Sequence, residues 1–259
     1  MQIKNKKILV LGHRGMAGHI IHTYLNKKGY VVISADKLIG LKFNVLNQLA
    51  VLEEKLESNP VDYIINCVGL LIKKSEENPG DAIKINSLFP HQLVKIADGI
   101  MAQVIHLSTD CYMDDSIYGR TKKTGEIDFP NHLTVRTSFV GPELEKTGAG
   151  LFEWFMRQKG EVHGYTNVLW DGITTLELAK FIDWYIKKEH KLSGIKNLRS
   201  SKPISKYELL NLIKKRYQKK IKINKFGGIH VNKTEKNDFL NYKIPEYEQM
   251  IKELFEFQK

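Results

Sequence analysis

The feature that most constrains this chain is a glycine series near its start. Lys7-Ile8-Leu9-Val10-Leu11 is a β-rich apolar run, and glycines at 12, 15 and 18 follow it as the pattern turns helical. Glycines at this spacing between a strand and a helix form a turn that carries backbone amides up to a diphosphate. Gly12 can make the tight turn, Gly15 lets the backbone approach a pyrophosphate at the helix N-terminus, and Gly18 allows close helix-strand packing. His13, Arg14 and Met16 complete the segment as candidate cofactor contacts. The alternative is an ordinary glycine turn with no ligand.

The next hundred or so residues repeat the alternation. Strands are predicted at Lys7–Leu11, Tyr30–Ser34, Tyr63–Cys67, Val104–Leu107 and Leu133–Thr137, with helices near 16–28, 48–58, 81–99 and 118–126. Alternating strands and helices feed a parallel sheet. The expected fold class is α/β, a doubly wound parallel sheet (Rossmann) over 1–140, with a smaller α/β C-terminal substrate domain over 141–259 and the site between them. Pro142 after Gly141 marks the change. Beyond it the periodicity is mostly helical: Ser205 with Glu208 is a capping box, and Glu246–Phe257 reads as a terminal amphipathic helix.

Composition narrows the partners. The formal charge is +11, from 40 basic and 29 acidic residues, and the whole excess lies beyond residue 186, densest at Lys214, Lys215, Arg216, Lys219, Lys220, Lys222 and Lys225. That cluster is nearly all lysine with few aromatics, so a solvated face is expected rather than a nucleic-acid surface. No apolar run reaches the 18 or more residues of a spanning helix, and the start has no signal-peptide pattern, so no membrane partner is expected. With only Cys67 and Cys111, the expected compartment is the reducing cytoplasm. No residue is assigned to a metal.

Asp36, read as the end of the second strand, lies 24 residues after Gly12, where a carboxylate can accept hydrogen bonds from the ribose of NAD. Arg14 and Lys37 can instead pair with the 2′-phosphate of NADP. NADP(H) is therefore favoured and NAD(H) left open; a solvated turn is the bland alternative for Asp36 and Lys37. Cys67, Val68 and Gly69 close the third strand at the sheet's carboxyl edge, and Asn44, Val45 and Asn86 are counted with the cofactor segment. Cys67 reads as packing rather than chemistry.

Carbonyl reduction needs a proton donor, a group lowering that donor's pKa, and a hydrogen bond orienting the carbonyl. Tyr118 and Lys122, four apart on one helix face, can supply the first two, and Thr109 the third. Tyr24 and Lys28 share the spacing but sit within the first helix. Trp154, Arg157, Tyr165, Asn167 and Trp170 are the substrate-side candidates, able to stack on a base, clamp a diphosphate and bond sugar hydroxyls; packing of the tryptophans is the alternative.

Ser108-Thr109-Asp110, Tyr118-Gly119-Arg120-Thr121-Lys122 running to Gly125-Glu126, Ile85-Asn86-Ser87-Leu88-Phe89-Pro90 and Val135-Arg136-Thr137-Ser138, with the glycine turn, resemble the extended short-chain dehydrogenase/reductase family. The branch is that of the nucleotide-sugar reductases typified by dTDP-4-dehydrorhamnose reductase. The resemblance implies NAD(P)H-dependent reduction of a 4-keto-6-deoxy nucleotide sugar, in deoxysugar biosynthesis for surface polysaccharide. Thr109, Tyr118 and Lys122 would be the catalytic positions, Lys122 would also hold the nicotinamide ribose, and a homodimer is expected. Only eight residues separate Thr109 from Tyr118, where relatives carry about two dozen; eight span roughly 26 Å extended, enough to reach the neighbouring helix. Cys111 stands where related dehydratases place a glutamate base, so elimination is not expected. Gly12-His13-Arg14-Gly15-Met16 is also similar to GDP-fucose synthase. That leaves an epimerase-reductase open, with Cys111 two residues beyond Thr109 and His163 in place of a histidine absent near Leu151. A non-catalytic NADP-binding sensor is the third reading.

Overall fold

The computed structural model describes residues 6–144, 148, 150–188 and 192–259. The chain divides into two units, one running to Arg136 and including Asp183–Lys196, the other formed by Thr137–Ile182 and Asn197–Lys259.

In the first unit, β1 (Lys7–Leu11) buries every residue after Lys7, the continuous apolar run of a strand covered on both faces. It leads into α1 (Met16–Lys27), β2 (Val31–Ser34), α2 (Ala35–Ile39), α3 (Leu49–Ser58) and β3 (Tyr63–Asn66). Then come α4 (Ile72–Glu77), α5 (Pro79–Ala82), a π turn over Ile83–Leu88, α6 (Phe89–Gly99) and β4 (Gln103–Ser108). A 3₁₀ turn over Asp110–Met113, α7 (Ile117–Thr124) and β5 (Leu133–Arg136) complete the run. The sheet order is β10-β5-β4-β3-β1-β2, where β10 is Gly194–Asn197, and the β2-β1-β3-β4-β5 pairings are parallel. This is the doubly wound sheet expected from the sequence. The chain leaves β1 for β2 on one side, then crosses to β3 on the other. Ligands of open α/β sheets bind at such a switch point. Leu11 is the register partner of Asn66, so the loops after β1 and β3 leave the sheet side by side.

Leu9, Leu11, Leu52, Leu56, Ile64, Phe89, Leu93 and Val104 form the core on one side of this sheet. Pro90 is the second residue of α6, just past the π turn, which runs helical from α5 into α6 without a break, so the missing proline N–H falls where the hydrogen-bond pattern of the helix changes.

Two sequence expectations need correction here. The second strand stops at Ser34, whose hydroxyl accepts the Lys37 N–H and caps α2, so Asp36 lies in the first turn of a helix rather than at a strand end. Ser34 competes for the backbone better than a strand neighbour does. The second unit is also richer in strands than its periodicity suggested. It holds β6 (Phe139–Val140), α8 (Leu151–Arg157), β7 (Glu161–Tyr165), β8 (Val168–Trp170), β9 (Ile173–Thr174) and the start of α9 (Thr175–Lys187). After β10 come β11 (Ile204–Ser205), α10 (Lys206–Arg216), β12 (Lys222–Phe226), β13 (Val231–Asn232) and α11 (Tyr247–Phe257). Four of these strands, β6, β9, β11 and β13, are two residues long, too short for a period of two to show.

Leu209, Ile213, Met250, Ile251 and Leu254 bury the inner faces of α10 and α11. Fully buried Arg199 is paired with Asp171 and Glu235, each at 3.3 Å, the pairing a buried cation requires. Among the described residues no helix is long and apolar enough to cross a membrane.

Candidate active site

Gly12 has φ +71°, a left-handed conformation that a side chain disfavours, and a Cβ there would lie 2.9 Å from the Cys67 carbonyl oxygen. A Cβ on Gly18 would lie 2.1 Å from the Gly12 carbonyl oxygen, so the first turn of α1 rests directly on the loop backbone. Gly15 differs: it is exposed, and its Cβ would meet only the Gly12 oxygen at 3.3 Å. Gly12 and Gly18 thus build the turn, while Gly15 leaves open the ground over the N-terminus of α1. Met16 is that helix's first residue, and no side chain caps it. Backbone N–H groups and a positive helix end suit a diphosphate. The residues present fit a dinucleotide.

At the rim, Asp36 Oδ1 accepts the Phe43 N–H at 3.0 Å. Its Oδ2 lies 2.6 Å from Arg14 Nη2 and 3.8 Å from His13 Nε2. Arg14 keeps 59 % of its side chain exposed, and Lys37 is exposed one residue beyond Asp36. Asn44 turns back on itself, its Oδ1 accepting the Leu46 N–H, while Val45 packs against the core. Asn44 is exposed.

Beyond β3, Cys67 is partly covered, and loss of water around it pushes the thiol up to about 12, so it stays protonated. Val68 donates its N–H to Asn66 Oδ1, and Gly69 is exposed. Asn86 is fully buried with its amide engaged: Oδ1 accepts the Leu70 N–H at 2.8 Å, and Nδ2 donates to the Leu70 carbonyl and Thr121 Oγ1. It shapes the loop that carries Gly69.

Thr109 follows β4 and caps the 3₁₀ turn, its Oγ1 accepting the Cys111 N–H at 3.1 Å. The short connection to α7 closes through Asp114 N–H to the Cys111 carbonyl and through Ser116, whose Oγ caps Gly119. A Cβ on Gly119 would stand 2.4 Å from the Cys111 oxygen and 2.6 Å from the Asp114 oxygen. Glycine after Tyr118 is therefore what lets α7 sit against the turn that Thr109 begins. Four residues after Tyr118, Lys122 is 4 % exposed and donates from Nζ to the Leu107 carbonyl at 2.7 Å, two residues before Thr109. Burial pushes this lysine down to about 8, against the pull of Glu126 and Cys67 toward the cation. Lys122 is thus tied to the carboxyl end of β4, and Tyr118 lies one turn earlier on the helix packed against the turn that Thr109 begins.

One support of this site was not read from the sequence. Glu126 accepts from Arg136 Nε and Nη2, at 2.7 and 2.6 Å, and from Ser108 Oγ at 2.7 Å. The Arg136 guanidinium lies 3.7 Å from the centre of the Tyr112 ring, in the turn after Thr109. The signal was a glutamate and an arginine bracketing a strand of apolar character, but nothing local said that they meet.

The second unit's candidates fare differently. Trp170 is 7 % exposed, its indole N–H donating to Ser138 Oγ at 2.8 Å and its ring beside Tyr247, so it is a packing element of that unit. The Asn167 amide donates to the Gly227 carbonyl, and Tyr165 meets Phe226 edge to face. Trp154 and Arg157 lie on α8, Arg157 donating to the Gly148 carbonyl at 2.9 Å. His163 sits exposed in β7 against Phe226.

The sheet order and the glycine turn at its switch point define a doubly wound α/β protein. Residues 8–134 match the model of the NAD dependent epimerase/dehydratase family. It is 28 % identical over 161 residues to dTDP-4-dehydrorhamnose reductase of Mycolicibacterium smegmatis, a match covering 54 % of this chain and 47 % of that protein. It is 34 % identical over 88 residues to the enzyme of the same name from Sinorhizobium fredii, covering 27 % of this chain and 30 % of that one. The matches thus span less than half of either relative. The crystal structure of dTDP-4-dehydrorhamnose reductase from Bacillus anthracis in complex with NADP shares the fold. Its TM-score is 0.81, with 98 % of this chain and 99 % of that one covered at 17 % identity.

Proposed function

We propose that the chain is an NADPH-dependent reductase of a 4-keto-6-deoxy nucleotide sugar. The observation that carries it is the tether of buried Lys122 to the Leu107 carbonyl, which sets Tyr118 and its helix against the turn begun by Thr109. The matched reductases support the substrate class. Bound at the glycine turn, NADPH supplies the reducing equivalent. Backbone amides of the first turn of α1, from Met16 on, hold the diphosphate, the Gly15 N–H being given to the Gly12 carbonyl. Arg14 and Lys37, two cations against the one carboxylate of Asp36, meet the 2′-phosphate. Thr109 donates a hydrogen bond to the ketone oxygen, and Tyr118 delivers the proton as negative charge develops there. The Lys122 cation lowers the cost of leaving phenolate behind. Trp154, Arg157 and Tyr165 are the substrate-side contacts of the second unit. A cytoplasmic homodimer belongs to the same reading, and light scattering of the purified protein at working concentration tests the assembly.

The test is an NADPH-oxidation screen against 4-keto-6-deoxy sugars on different nucleotides, with product stereochemistry read by NMR. Loss of a positioned general acid costs about 10²- to 10⁴-fold. Tyr118→Phe should lose that much turnover while binding NADPH as before. Turnover equal to the parent's in that variant overturns the assignment.

A further inference from the structure

Two buried polar side chains behind Lys122 have no part in the reading above. Asn66 and His106 are register partners across β3 and β4, and both are fully buried. Polar groups persist at such depth only when hydrogen-bonded, and here the bonds fix which atom donates. The Val68 N–H can only donate, and it meets Asn66 Oδ1 at 3.1 Å. The amide is thereby oriented, so the group facing His106 Nδ1 at 3.1 Å is the Asn66 NH₂. His106 Nδ1 must accept. Burial, with Lys122 and His91 adding to it, pushes the imidazole well below the ordinary histidine value, so the ring is neutral. Its single hydrogen is then on Nε2, which lies 3.5 Å from Lys122 Nζ.

We propose that His106 is a positioning residue that presents an N–H, not a lone pair, to Lys122 Nζ, and so favours the neutral amine of that lysine over its ammonium. Against an ammonium this N–H is a donor facing a donor; against an amine it is a hydrogen bond. The other groups acting on Lys122 are the Leu107 carbonyl, which accepts from Nζ at 2.7 Å and can do so in either charge state, Glu126, which favours the cation, and the protonated Cys67 thiol, while Tyr118 lies one turn away on its own helix. The low lysine value agrees with this balance. The Asn66-His106 pair would then set the pH at which Lys122 changes charge, deepening the role given to Lys122 in the proposed reduction.

The test needs no turnover, so an inert protein would count against the reductase reading and leave this one standing. Long-range ¹H–¹⁵N correlation on histidine-labelled protein, with the His106 signals identified by their loss in His106→Gln, reads the tautomer. The Nε2–H form is expected from pH 5 to 8. Lysine-labelled protein reads the Lys122 titration. In His106→Gln the amide oxygen can turn toward the ammonium. In Asn66→Asp the carboxylate makes Nδ1 carry the hydrogen. Both should raise the proton affinity of Lys122 about tenfold, one pH unit. An Nδ1–H tautomer or an imidazolium in the parent overturns the proposal, as does a titration unmoved in both variants. So does a rise in Asn66→Asp with Nε2–H intact, because charge alone would then be acting. If either variant fails to fold, the other variant and the parent's tautomer still decide.

Discussion

Replacing Arg136 by methionine tests the support beneath Thr109. Glu126 is buried, and its partners are the two Arg136 nitrogens at 2.7 and 2.6 Å and the Ser108 hydroxyl at 2.7 Å. Arg136→Met leaves the carboxylate with one hydroxyl in place of a fork, and also removes the guanidinium stacked on Tyr112. Breaking a buried ion pair from one side costs about 3–5 kcal/mol, and the lost stack adds roughly 0.5–1. With m of about 2–3 kcal/mol per molar urea, the unfolding midpoint should fall by about 1–3 M. The double variant Glu126→Gln/Arg136→Met removes both charges and should recover most of that loss, since a neutral pair needs no compensating cation. Urea titration of the four proteins closes the cycle, and amide exchange at Cys111, whose N–H bonds Thr109, reports the turn itself. A single variant that loses less than about 1 kcal/mol, or a double variant as unstable as the sum of its parts, would refute this account of the pair.

Three further outcomes are expected. Gly18→Ala should unfold at markedly lower temperature, because its methyl would overlap the Gly12 carbonyl, whereas Gly15→Ala should melt close to the parent and lose NADPH affinity tenfold or more; equal melting of the two would sink the division of labour among these glycines. Arg14→Ala should weaken NADPH by about ten- to a hundredfold, the worth of one charged hydrogen-bonded contact, and leave NADH unchanged, which fluorescence titration can measure. The Lys122 value falls from 10.5 unfolded to about 8 folded, so below pH 8 the fold bears the cost of a buried cation, and this cost is relieved as pH rises from about 8 toward 10.5. Lys122→Met should therefore gain most on the parent at pH 7 and lose that advantage by pH 10; a difference constant with pH across urea titrations would contradict the burial cost.

Much of the first unit was legible because its signals are local. β1 and the opening of α1 came out at Lys7–Leu11 and Met16, since a strand buried on both faces is a plain apolar run and the turn after it needs glycine. Ser205 and Glu208 make both reciprocal bonds of the capping box, a motif whose partners lie three residues apart. Tyr118 and Lys122 share a helix face because four residues make about one turn.

What the sequence by itself determined, then, is the class of fold, the place of the glycine turn and the helix that carries the phenol and the ammonium. The tertiary structure decided the rest. It tied Asp36 to Arg14 and to the Phe43 N–H, turned Trp170 into packing, and set β10 beside β5 although some sixty residues lie between them in the chain. It also brought Asn66 to His106 and Arg136 to Tyr112, side chains whose meeting depends on strand register and crossover path. Period, capping and left-handed turns are written within a few residues of where they act, whereas the hydrogen-bond partner of a buried side chain is chosen by whichever strand the fold lays next to it.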